Sequence, residues 1–163
     1  MPTSISRDVS SVSFTRPADT TAYASGDQVA NSTTAGSVVP LNFPGCSNGV
    51  GRSLQIRRVR IGKSGTSVTN AAFRLHLFNV LPTVGAGDNA AISFTTGMAK
   101  YLGQVDVTVG QAFGDGAAGQ ATTDISCYPV AGASNLYGLL EARGAYTPAS
   151  AEVFTIALEV AQD

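Results

Sequence analysis

The amino-acid sequence predicts an all-β protein: an antiparallel, jelly-roll-like β-sandwich of about eight strands with little or no helix. Three observations point there. Apolar residues recur with a period of two along most of the chain. Clusters such as "PGCSNGVG", "GKSGTS" and "VGQAFGDGAAG" punctuate the runs, and no stretch of helical length carries an apolar stripe. The 163 residues fit one domain spanning 1–163, with residues 1–8 expected as a flexible N-terminal arm.

Taken in order, the first strand ends at Phe14, with Val12 on the same face. "TRPADTTAYASGD" then reads as a strand–corner–strand connection. Pro17 fixes φ and stops pairing, and Asp19 accepts backbone N–H groups of the next turn. Tyr23 packs its ring beneath with its hydroxyl outward, and Gly26–Asp27 return the chain to a strand at Gln28–Val29. "SVVPLNF" is a further strand, and Pro40 places it at an edge or a bulge.

"SLQIRRVRIGK" changes phase. Leu54 and Ile56 share one parity and Val59 and Ile61 the other, so a bulge near Arg57–Arg58 puts all four on one face. In "FRLHLFNV", Phe73, Leu75 and Leu77 oppose Arg74, His76 and Phe78. In "YLGQVDVTVG", Val105, Val107 and Val109 oppose Gln104, Asp106 and Thr108. A turn or two of helix fits near 97–102, and the glycines and alanines of 115–123 suggest a flexible loop. "NLYGLLEAR" is another strand. The last, "AEVFTIALEVAQ", turns Phe154, Ile156, Leu158 and Val160 to one apolar face.

Charged residues make up 13% of the chain, against about 25% in ordinary globular proteins. The shortage fits a strand-and-turn composition, and it equally fits a surface given over to protein contact. A net charge of −1 speaks against a nucleic-acid partner. Cys46 and Cys127, far apart and outside any CxxC pair, read as reduced, buried thiols of a protein made in the cytoplasm. The N-terminus lacks the apolar core of a signal peptide, and no apolar run approaches the roughly 20 residues of a membrane span.

The search for chemistry assigns no catalytic, metal-binding or cofactor-binding residue. The single histidine, His76, sits mid-strand with no GxSxG elbow and no HExxH partner, as a packed residue does. "GAGDNA" and "GDGAAGQATTD" resemble fragments of calcium loops, which makes Asp88 and Asp115 the candidates for a surface calcium, yet neither carries the alternating oxygen ligands. "GDGAAG" matches GxGxxG literally, but the β-branched "QATTDISCYP" follows instead of the helix that holds a pyrophosphate. One cluster stands out: Arg52, Arg57, Arg58, Arg60 and Lys63 are half of the 10 basic residues. Arg57, Arg58 and Arg60 are either a solvated sheet face or a stripe that docks on an acidic partner.

Two stretches, "FTRPADTTAYASGDQV" and "AAFRLHLFNVLPTVGAGDNAAISF" followed by "YLGQVDV", resemble the capsid cement or decoration proteins of tailed bacteriophages. Arg16, Pro17, Asp19, Thr20, Tyr23, Gly26 and Asp27 match that family's first element; Arg74, Leu75, Leu77, Phe78 and Pro82 match the second; Asp88, Asn89, Ala90 and Ala91 match the third. Ile92 stands where an aromatic is expected, with Phe94 two positions on. The resemblance implies a jelly-roll-like homodimer or homotrimer on the virion surface that clamps neighbouring copies of the major capsid protein. It implies no catalytic residue, and it makes Pro17, Asp19, Tyr23 and Asp27 a structural corner. Two other readings stay open: a tail or neck protein, and a carbohydrate-binding sandwich. The latter would use Tyr101, Tyr128, Tyr137 or Tyr146, of which Tyr146 in "RGAYTP" is the most loop-like.

Overall fold

The computed structural model describes residues 6–49, 52–130 and 133–162. Twelve strands appear: β1 (Ser6–Thr15), β2 (Gln28–Val29), β3 (Leu41–Phe43), β4 (Leu54–Lys63), β5 (Ala72–Phe78) and β6 (Thr83–Val84), then β7 (Phe94–Thr95), β8 (Tyr101–Thr108), β9 (Gln111–Ala112), β10 (Ala117–Cys127), β11 (Leu136–Ala142) and β12 (Val153–Gln162). Two antiparallel sheets form the sandwich. The first runs β1-β12-β4-β10-β9; the second runs β2-β11-β5-β8, with β3 also on β11. Eight strands carry the architecture. In chain order, the first, eighth, third and sixth make one sheet, and the second, seventh, fourth and fifth the other. That interleaving is a jelly roll.

The core lies between the sheets and follows the alternation. Phe154, Ile156, Leu158 and Val160 are buried, as are Phe73, Leu75 and Leu77 opposite them. The phase change in β4 is a bulge: Arg58 pairs with Glu159 and Ile56 with Val160, which leaves Arg57 as the extra residue. Leu54, Ile56, Val59 and Ile61 consequently all face inward and are buried. The ladder of β3 begins just after Pro40, where the missing donor costs nothing.

Three expectations change. Of the arm expected over 1–8, residues 1–5 lie outside the described residues, while Ser6, Arg7 and Asp8 pair with Gln162, Ala161 and Val160 as part of β1. The loop expected over 115–123 is mostly strand, because β10 runs Ala117–Cys127 along β4. Small residues are needed there for packing: a Cβ on Gly119 would lie 2.0 Å from the Thr108 carbonyl oxygen. Finally, β5 is buried on both faces near its end. Phe94 of β7 covers Phe78 at 5.0 Å and His76 at 5.4 Å between ring centres, so Phe94 supplies the aromatic expected at Ile92. The turn expected near 97–102 is a short 3₁₀ segment, Met98–Lys100. Among the described residues, no helix is long and apolar enough to cross a membrane.

Candidate functional site

β1 points Val12 and Phe14 at the core, and Arg16 continues that parity one step past the strand. The Arg16 N–H still bonds the Glu152 carbonyl at 3.1 Å; Pro17 then ends the ladder. The Arg16 side chain is therefore carried inside, and all five of its N–H donors find acceptors. Nε donates to the Tyr23 hydroxyl at 2.8 Å. Nη1 reaches the carbonyls of Asp19 at 2.6 Å and Pro17 at 3.3 Å. Nη2 reaches Asp19 Oδ1 at 3.2 Å and Asp88 Oδ2 at 3.0 Å. A buried charge is tolerated only when paired and fully hydrogen-bonded, and here it is. Burial opposes the Arg16 charge, but Tyr23, Asp88 and Asp19 outweigh it and hold its pKa above the ordinary value.

The corner expected from the sequence takes shape around this side chain. Asp19 Oδ1 accepts the Thr21 N–H at 2.9 Å, the bond that most lowers its pKa. Asp27 Oδ2 accepts the Ala24 N–H at 2.7 Å. The Tyr23 hydroxyl, expected outward, instead points inward and donates to Asp88 Oδ1 at 2.7 Å, with the residue 2% exposed. The carboxylate decides this, since it and Arg16 together satisfy the phenol away from water. Asp88, considered above for a surface calcium, is buried and fully engaged, because Oδ1 also accepts the Ala30 N–H at 2.8 Å. Asp115 is exposed in the turn before β10. Among the described residues, no group of three or more metal-ligating side chains gathers.

A second knot, missed in the sequence, adjoins the first. The Tyr146 hydroxyl lies 2.7 Å from both oxygens of Glu152. Lys63 Nζ sits 3.3 Å from Glu152 Oε1, donates to the Gly65 carbonyl at 2.7 Å and stands 4.9 Å over the Tyr146 ring. A signal for it existed: past the bulge, Lys63 shares the inward parity of Val59 and Ile61. Tyr146, singled out as a loop-like sugar platform, is 0% exposed and cannot serve as one.

Of the arginines expected to form a partner contact, Arg58 and Arg60 share one carboxylate on the outer sheet face, and Arg57 stands apart on the bulge. Arg58 pairs with Glu159 of the neighbouring strand, and Arg60 lies 3.6 Å from the same carboxylate. Hydrogen bonding from Arg58 holds Glu159 below the usual carboxylate range. Arg57, displaced by the bulge, approaches Asp124 only to 4.0 Å, with its side chain 53% exposed. On the opposite sheet His76 is buried and bonded on both sides, to Glu141 at 2.6 Å and to Tyr101 at 3.0 Å. Burial lowers its pKa despite the carboxylate, and Nε2 donates to Glu141, since an ionised carboxylate only accepts.

No protein-family model and no curated protein sequence matches this chain. Among solved structures it is similar to the capsid of Ralstonia phage GP4, at 12% identity over 99% of this chain and 86% of that one, with a TM-score of 0.39. A Desmodium yellow mottle tymovirus chain (12% identity, 99% and 89% covered, TM-score 0.31) and the Cyanophage Pam1 capsid asymmetric unit (12%, 98% and 85%, TM-score 0.33) are similar at a comparable level. Scores this low carry no argument about role, and the jelly roll rests on the strand pairing itself.

Proposed function

We propose that this protein is a non-enzymatic structural component of a tailed-phage virion, made in the host cytoplasm. It binds the outer capsid surface as a homo-oligomer and cements neighbouring capsomers. One observation carries the reading. The separate segments that resemble the cement family, 16–27 and 88–91, meet in space as one unit. Arg16 and Tyr23 bond Asp88, the Gln28 N–H bonds the Ala90 carbonyl at 2.8 Å, and the Ile92 N–H bonds the Gly26 carbonyl at 2.9 Å. Residues matched as a family signature thus have a shared structural task. A chance match of scattered letters has no reason to converge in this way.

Cementing works by mass action: a protein that binds only the assembled, expanded shell stabilises it in proportion to occupancy. The partners in this reading are the major capsid protein and further copies of this chain, with no nucleic acid, membrane or cofactor involved. Arg57, half exposed, bonded to Gln55 at 2.6 Å and with a carboxylate no nearer than 4.0 Å, is the leading residue for the shell contact, with Arg58 and Arg60 beside it.

Co-sedimentation of the purified protein with expanded heads that lack it tests the proposal. Saturable binding at a stoichiometry fixed by the lattice is the expected result. A well-folded protein that stays in the supernatant would overturn the capsid assignment and point to the tail or neck.

A further inference from the structure

We infer that β1 is the self-association edge of the protein. A second copy's β1 adds antiparallel to it across a twofold axis, so that the first sheet continues from one protomer into the next.

The direction of the backbone groups follows from two observations. The Arg16 N–H bonds Glu152 across the sheet at 3.1 Å, and the register from Ser6 opposite Gln162 to Thr15 opposite Val153 is unbroken. Hydrogen-bonded and non-bonded pairs alternate in an antiparallel ladder. The even residues of β1 therefore face β12, and the odd residues turn their N–H and C=O groups to the open edge. The Val9 N–H agrees: it is taken up by the Asp8 carboxylate at 2.7 Å, a side chain standing in for a missing strand. Among the described residues, β1 pairs with β12 alone.

Natural sheets protect an edge of this length with proline, lysine, a bulge or a cover. β1 runs ten residues, SRDVSSVSFT, without proline, lysine or an irregularity, and its only charges, Arg7 and Asp8, sit at its start, leaving Val9–Thr15 uncharged. The opposite edge of the same sheet is partly covered by β9. The apolar side chains along β1 are also incompletely covered. Val12 and Phe14 point at the core yet are only partly buried, and Val9 on the outer face is 49% exposed. Val39, 69% exposed, lines the same cleft as Phe14.

A second copy is the occupant that fits. Outer-face residues must meet outer-face residues across a twofold axis perpendicular to the sheet, so odd positions oppose odd positions. Centred on Ser11, the pairing sets Ser11 against itself, Val9 against Ser13 and Arg7 against Thr15, with no like charges opposed. Every outward amide then finds a carbonyl, and both open edges are consumed in one closed, isologous contact. The inference narrows the homo-oligomer of the proposed function to a dimer and rests on that part of it. Head binding is measured separately.

Sedimentation velocity over a concentration series tests it, on the full chain, with two variants. Ser11→Pro deletes an outward N–H at the centre of the edge without touching the bonds to β12. Ser11→Lys leaves the backbone intact and opposes two like charges at the axis. The wild type is expected to be a dimer, and each variant to dissociate with a Kd raised about tenfold or more. A wild type that is monomeric or trimeric would overturn the inference, and so would a Ser11→Lys protein that dimerises as tightly as the wild type. Monomeric variants that still pellet with heads would leave the capsid assignment standing. Dimers that do not pellet would overturn that assignment alone.

Discussion

Tyr23 and Tyr146 stack with their ring centres 6.5 Å apart and their planes within 6° of parallel, and each hydroxyl bonds a different buried carboxylate. The stack joins two ion pairs, Arg16–Asp88 and Lys63–Glu152, whose four side chains are all 0% exposed. Four remote stretches of chain are thereby fastened at one end of the sandwich, through groups that are costly to bury unless every partner is present.

Removing one partner should therefore cost more than removing two. Arg16→Ala strands the Asp88 carboxylate, and is expected to lower stability by about 3–5 kcal/mol. For a domain of this size that is a fall in Tm of about 6–20 °C. The double variant Arg16→Met with Asp88→Leu should lose less than Arg16→Ala alone. Thermal melts of both decide the matter; an Arg16→Ala loss below about 1 kcal/mol would refute the account of the knot.

Stability should fall as pH drops below about 6.5. Burial holds folded His76 below its ordinary 6.5. In the window beneath that value the unfolded chain binds a proton that the folded one does not, so stability present above it is lost on acidification. The slope is at most about 1.4 kcal/mol per pH unit for this one group. Glu141 adds a second loss below its ordinary 4.5: burial raises its pKa, but hydrogen bonds from His76 and Arg143 outweigh that and lower it. His76→Gln should flatten the upper part of the curve in denaturant titrations between about pH 7 and 5. An unchanged slope would remove His76 from the explanation.

Two glycines of one loop–strand region should behave oppositely. Gly119→Ala drives a Cβ against the Thr108 carbonyl oxygen at 2.0 Å and the Val109 Cα at 2.8 Å. These are backbone atoms that cannot step aside, and a loss of about 3 kcal/mol is expected. A Cβ on Gly114 meets nothing within 4 Å, so Gly114→Ala should be neutral or slightly stabilising through the unfolded state. Equal melting temperatures for the two would contradict the strand assignment of 117–127.

Neither cysteine should react in the native protein at neutral pH. Burial pushes Cys46 up to about 11 and Cys127 up to about 12, leaving almost no thiolate. A chromogenic thiol reagent should stay silent until denaturant is added and then report both thiols. Rapid native labelling of either would count against the burial.

Charge reversal should separate docking from folding at the arginines. Arg57→Glu breaks an exposed 4.0 Å pair with Asp124 and an exposed hydrogen bond to Gln55 Oε1, surface contacts that contribute little to stability. Its Tm should stay within about 2 °C of the wild type, while affinity for expanded heads falls about tenfold or more. Arg58→Glu opposes Glu159 directly and should lower both. Heads that bind Arg57→Glu as well as wild type would exclude the arginine contact.

The sequence by itself determined most of the strands and the faces of their apolar residues. Alternation along β12, β8 and most of β5, the bulge at Arg57–Arg58 and the corner at Pro17 are local consequences of the pleat, the proline ring and short polar side chains. It also held the parity that carries Arg16 and Lys63 inward, but not what they would meet there. Asp88 lies 72 positions from Arg16, and Glu152 lies 89 from Lys63. Only the tertiary structure brought those partners together, turned the Tyr23 hydroxyl inward, buried Tyr146 and made a paired strand of the glycines and alanines of β10. The reason is the same in each case. Alternation is written residue by residue, whereas desolvation and strand pairing are settled by whichever distant groups the closed sandwich places alongside.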